Sequence, residues 1–199
     1  MQDKLTWADI TLEKYLEIQA LKTIDNIDFI VNLIKIIYNV EDPESLPYTD
    51  VLEYGEKLKF MSEVIKEVPL KDYYILNGNK YMLDIDMLNM KTQQVIDYRN
   101  YVKEENNFVK ILSVFLIPEG HKYNDGYSIQ DVQNDIMYMT MPDVFSISSF
   151  FLKAWQTCLT VFQDYFNETI ENMEKIPEEK REMLKNQLKA LSPDLTFGQ

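Results

Sequence analysis

One dipeptide constrains this chain more than any other: Asn77-Gly78, set between Tyr73-Tyr74-Ile75-Leu76 and Asn79-Lys80-Tyr81-Met82-Leu83. A two-residue type I′ turn needs positive φ at both central positions, which asparagine tolerates and glycine adopts freely. Two β-prone runs joined in this way read as a hairpin over about residues 73–84. A lone two-stranded hairpin is marginal in water, so it must lie against other elements. Those elements are helical by spacing, and only five glycines argue against a barrel or sandwich that would need many tight turns. The predicted fold is mainly α, a helical bundle with one small β-hairpin.

Caps and apolar periodicity place the helices. Thr6-Trp7-Ala8-Asp9 has the form of a capping box, and Thr11 is a second candidate cap for a helix over about 12–21, with Trp7 docked beneath it. A helix from Asp25 or Asn26 to Tyr38 carries Ile24, Ile27, Ile30, Val31, Ile34 and Ile37 on one stripe, widened by Phe29, Leu33 and Ile36. An element apolar over so much of its circumference belongs in a core or an interface, and core is the expectation. Asp42-Pro43-Glu44 opens a short turn, and a further helix from Thr49 or Asp50 to Val68 stops at Pro69. After the hairpin, helices are expected over about 93–103 and 105–116. Next comes a breaker-rich loop, Pro118–Tyr127, and a helix from Ser128 to about Met139. A long helix runs from about Asp143 to Lys175, and a last one, opened by Pro177, runs to Leu191. These divide into an N-terminal helical unit (1–69), the hairpin with two helices (70–127) and a C-terminal long-helix region (128–199), together one compact domain.

Composition narrows the chemistry. With 20 basic residues against 33 acidic, the formal charge is −13. Nucleic-acid affinity rests on Lys and Arg neutralising phosphates, and the only arginines are Arg99 and Arg181, so direct DNA or RNA binding is not expected. The charge reads as a solubility device, with a basic partner or mimicry of DNA as the sharper alternatives. The single cysteine, Cys158, excludes an internal disulfide and suggests a reducing compartment. The opening residues lack the pattern of a secretory signal. The apolar stretches 29–40 and 150–166 contain Asn, Lys or Gln and fall short of a membrane span.

Catalytic templates fail in turn. His121, the only histidine, stands in a polar loop beside Lys122. Cys158 lies in an apolar helix with no histidine near it in sequence, as a structural cysteine would. One His and one Cys cannot build a zinc set, and the Gly126 loop would put His121 and Val132 at the calcium-ligating ends of an EF-hand. Gly55, Gly78, Gly120, Gly126 and Gly198 form no phosphate-cradling loop. No catalytic residue, metal or cofactor is predicted, and the chain reads as a non-enzyme. A hydrolase built on paired carboxylates is the third-ranked alternative.

The strongest positive feature is a soft, dense apolar stretch: Met137, Met139, Met141, Phe145, Phe150, Phe151 and Trp155. Methionine and aromatic residues at helical spacing build cores, and the same residues on a surface take partners. Both readings stand. As candidate partner-binding residues these seven are joined by Met183, Leu184 and Leu188, on the narrow stripe of the last helix.

Ile75-Leu76-Asn77-Gly78-Asn79-Lys80-Tyr81, Met90–Tyr98 and Ile111–Tyr127, with the Thr6-Trp7 opening, give a pattern that resembles small acidic proteins. These are encoded among the morphogenesis genes of tailed bacteriophages of Bacteroidetes-type hosts, the crAss-like group included. The resemblance spans most of the chain, is one of pattern without a diagnostic motif, and carries no catalytic residues. It implies a minor virion structural protein or a tail-assembly chaperone, partnered by other phage structural or assembly proteins and by a second copy of itself. Its expected place is the host cytoplasm during assembly, or the virion.

Overall fold

Asn77 and Gly78 adopt φ of 49° and 81°, the turn that their sequence prescribes, and strands β1 (Tyr73–Leu76) and β2 (Asn79–Leu83) pair antiparallel on either side. The computed structural model describes residues 4–22, 26–86, 89–103 and 107–172. It is mainly helical, with a small antiparallel sheet. Helices α1 (Leu12–Gln19), α2 (Asn26–Tyr38) and α3 (Tyr48–Lys57) precede the hairpin. Helices α4 (Thr92–Val102), α5 (Phe108–Phe115), α6 (Ile129–Ile136) and α7 (Met141–Asn172) follow it.

The sheet has a third strand, β3 (Leu116–Pro118), paired to the far side of β2 with Leu83 opposite Leu116 and Tyr81 opposite Pro118. Apolar periodicity alone carried the preceding helix through Leu116. The helix instead ends at Phe115, with Leu116 at φ −94°, ψ 100°. Pro118 disfavours the α region at Ile117, and pairing with β2, Leu116 opposite Leu83, draws the chain out of the helix one residue earlier. Alternation then sorts the sheet's faces: Tyr74, Leu76, Tyr81 and Leu83 are buried, while Tyr73, Ile75 and Met82 are exposed.

The helix expected as far as Val68 is also shorter. α3 stops at Lys57, a 3-10 turn spans Leu58–Ser62, and the chain then runs without regular structure to the hairpin. The 3-10 turn carries Leu58 and Phe60, both in the core. Side-chain contacts with α7 hold the irregular stretch: Val68 N donates to Ser146 Oγ at 2.7 Å, and Ser149 Oγ donates to Glu67 Oε1 at 2.7 Å.

Two caps form as expected. Thr6 and Asp9 close a capping box over the turn Trp7–Asp9, and Thr11 Oγ1 accepts from Lys14 N. Trp7 packs edge-on against Tyr15 and Phe60 and donates Nε1–H to the Glu63 carbonyl at 2.9 Å. α2 departs from its expected role. Leu33, Ile34 and Ile37 are buried, but Ile27 is 51% exposed and Phe29 37%, so only its C-terminal half serves the core.

By internal contacts the chain forms two units, Met1–Phe150 and Phe151–Gln199. In the first, α5 packs against both α4 and α6, and Leu112, Val114, Phe115, Leu116, Ile136 and Ile147 are fully buried. In the second, the described part is the helix to Asn172, where Thr157 Oγ1 donates to the Lys153 carbonyl at 3.0 Å. The helix expected over 177–191 lies outside the described residues.

Candidate functional site

The Met/aromatic stretch divides. Met139, Met141 and Phe151 are 1%, 4% and 1% exposed and act as core, which removes them as candidate partner-binding residues. For Met139 and Met141 the cause is a long-range pairing invisible to periodicity. Leu12 N and Glu13 N donate to the carbonyls of Met139 and Met137, and Met141 N donates to that of Ile10, so the N-terminal segment straps the 137–141 connection down. Met137 and Phe150 are half-buried and Phe145 is 39% exposed. The side chain of Trp155, together with Met183, Leu184 and Leu188, lies outside the described residues.

What the structure exposes beside this stretch is the edge of the sheet. In an antiparallel ladder, hydrogen-bonded and non-hydrogen-bonded pairs alternate. The bond from Leu83 N to the Asp72 carbonyl, 3.0 Å, fixes the phase. Tyr74 and Leu76 therefore face β2 with their N–H and C=O groups, while Tyr73 and Ile75 turn theirs outward. No strand pairs with that side of β1 among the described residues. The side chains of Tyr73 and Ile75 are 47% and 66% exposed, and Met82 on β2 continues their face.

This edge forms one wall of a groove of about 440 Å³. The opposite wall is Tyr138, exposed, with Met139 and Thr140 behind it. One part of the lining is ionic. Lys71 Nζ lies 3.0 Å from both carboxylate oxygens of Asp143, which also accepts from Thr140 Oγ1 at 3.1 Å, and the same lysine sits over the Tyr74 ring. Burial pushes the Tyr74 phenol above its ordinary value, with the nearby Asp143 adding to the rise. On the outer face Lys80 lies over the Tyr73 ring and pairs with Glu119, which holds the lysine protonated above its usual range. The groove thus offers a strip of backbone donors and acceptors beside exposed tyrosines, suited to an extended chain.

A second polar cluster holds the sheet in place. Asp135 on α6 is 5% exposed and accepts from Tyr81 Oη and Asn79 Nδ2, both at 2.6 Å, and from Asn77 Nδ2 at 3.0 Å. Burial alone would raise the Asp135 carboxyl; the three donated hydrogen bonds outweigh it and hold the pKa below the ordinary aspartate value. Tyr81 moves the other way, raised by burial and then by its bond to Asp135. Every member is satisfied, so the cluster is a clasp between turn and helix.

His121 is exposed in its loop, with Nδ1 3.0 Å from the Asp125 carbonyl and its ring edge-on to Tyr127. The Cys158 side chain lies outside the described residues. Among the described residues no three His, Cys, Asp or Glu side chains converge as a metal site, and no helix is long and apolar enough to cross a membrane. Among the described residues the carboxylates whose pKa is displaced, Asp135 and Glu53, both move downward. No family model, curated protein or solved structure matches the chain.

Proposed function

We propose that this protein is a non-enzymatic interaction component of bacteriophage particle assembly, a minor virion protein or a tail-assembly chaperone. It engages its partner by accepting an extended segment along β1. The supporting observation is the outward-facing backbone of Tyr73 and Ile75, with both side chains exposed, in a groove closed by Tyr138. Soluble proteins usually blunt a sheet edge with charge, proline or a bulge; here the two outward positions are an aromatic and a β-branched residue. The phage context comes from the sequence resemblance. It implies a place in the host cytoplasm during assembly or in the particle.

The test is capture of phage structural proteins from infected cells by wild-type protein and by Ile75→Lys, which puts a charge on the edge and leaves the ladder to β2 intact. Loss of capture at unchanged helical circular dichroism supports strand addition; undiminished capture removes it. Mass spectrometry of purified virions separates the two roles, since a resident protein is abundant there and a chaperone is absent. A second reading, an acidic regulator or DNA mimic on a basic partner, is favoured by the net charge of −13. It requires partner capture that collapses with added salt.

A further inference from the structure

We infer that a second groove, between the N-terminal half of α2 and the start of α3, is a docking site for a partner's basic amphipathic helix. It is separate from the sheet edge and does not rest on that reading.

The groove has a volume of about 510 Å³, and Ile27, Val31, Leu46, Tyr48 and Val51 supply its apolar lining. Ile27 and Val31 are one helical turn apart on α2, and Tyr48 and Val51 one turn apart on α3, so two helices each present an apolar row to the same trough. Part of this surface is open: Ile27 is 51% exposed and Tyr48 62%. Ile27 and Val31 thus continue the apolar stripe of α2 past the core and line this trough.

Charge identifies the occupant. The only ionisable groups in the lining besides Tyr48 are Asp28 and Glu44, one from each side, and neither makes an ion pair among the described residues. Over residues 26–59 the sequence holds seven acids against three bases, Lys35, Lys57 and Lys59. Lys57 and Lys59 pair with Glu53 and Glu56 at the far end of α3 and beyond it, which leaves Asp28, Glu41, Asp42, Glu44 and Asp50 as the acidic surplus. An apolar trough rimmed only by carboxylates favours a segment with one apolar face flanked by Lys or Arg, and repels an acidic one. A second copy of this strongly acidic chain is a poor match.

The probe is a synthetic amphipathic helix of leucine and lysine, compared with its leucine–glutamate counterpart. Binding is followed by NMR shifts and by titration. The lysine peptide should perturb Ile27, Val31 and Val51, and the glutamate peptide should not bind. Asp28→Lys with Glu44→Lys should weaken the lysine peptide about tenfold, while Glu63→Lys with Asp125→Lys, the same change of net charge elsewhere, should leave it within about twofold. Ile27→Ser, at an exposed position that does not hold the core, should weaken it as well. Equal loss in both charge-reversed pairs means attraction to net charge alone and overturns the site. So does binding without shifts at α2 and α3, or sedimentation showing a dimer that Ile27→Ser dissociates. Ile75→Lys should leave peptide binding intact, so failure here and failure at the sheet edge are distinguishable.

Discussion

Asp135 accepts from three neutral donors, Tyr81, Asn77 and Asn79, so its loss should cost stability. Asp135→Asn turns one acceptor oxygen into a donor facing these groups; the buried Tyr81 phenol is set against it, while the exposed Asn77 and Asn79 amides can turn to water. We expect a loss of about 1–3 kcal/mol in urea unfolding. The pH dependence follows from the downward shift. A depressed folded pKa gives stability that is present above the ordinary aspartate value and lost as pH falls through the folded one. The acid limb of the stability curve should therefore be shallower in Asp135→Asn than in the wild type. Little of this clasp was legible beforehand. Asn77 and Asn79 announce a turn through their backbone preferences, but their acceptor lies 58 and 56 residues away, beyond any local pattern.

At the scale of elements, the hairpin and most helix starts follow from local chemistry, because caps and turns are decided by neighbours. Thr11 and Ser128 each accept a hydrogen bond from the backbone three residues on. Gly78 has φ of 81° and open space around a notional Cβ, so Gly78→Ala should cost only the backbone preference. A loss of about 1 kcal/mol is expected in thermal or urea unfolding, with the fold retained. Two elements were misread for a common reason. Leu116 and the residues after Lys57 continue an apolar pattern, yet their path is set by partners distant in sequence: β2 for the one, Ser146 and Ser149 of α7 for the other. The free edge of β1 was equally hidden. A hairpin is visible in sequence, but which of its strands is left outermost is a property of the sheet.

On the molecular scale, the acidic surplus acts on the fold as well as on partners. Like charges crowded on a folded chain repel, and salt screens them within about 10 Å at 0.1 M. Raising sodium chloride from about 0.02 M to 0.3 M should therefore lift the melting temperature by a few degrees, as differential scanning calorimetry would register. The Met/aromatic stretch shows how far composition reaches. Its chemistry suits core and interface alike, and the choice falls to the strap of Ile10–Glu13, which no spacing rule couples to Met137–Met141. The Asp135 clasp has a further consequence, for the lifetime of the molecule. An asparagine followed by glycine is prone to cyclise, its side-chain carbonyl attacked by the next backbone nitrogen, and then to open as aspartate or isoaspartate. Here the Asn77 carboxamide is tethered to a carboxylate on α6, which holds it against that rearrangement. Asp135→Asn protein incubated at neutral pH should accumulate deamidated Asn77 faster than wild type, as peptide mass spectrometry would show. The carboxylate that fastens the sheet thus also slows its ageing.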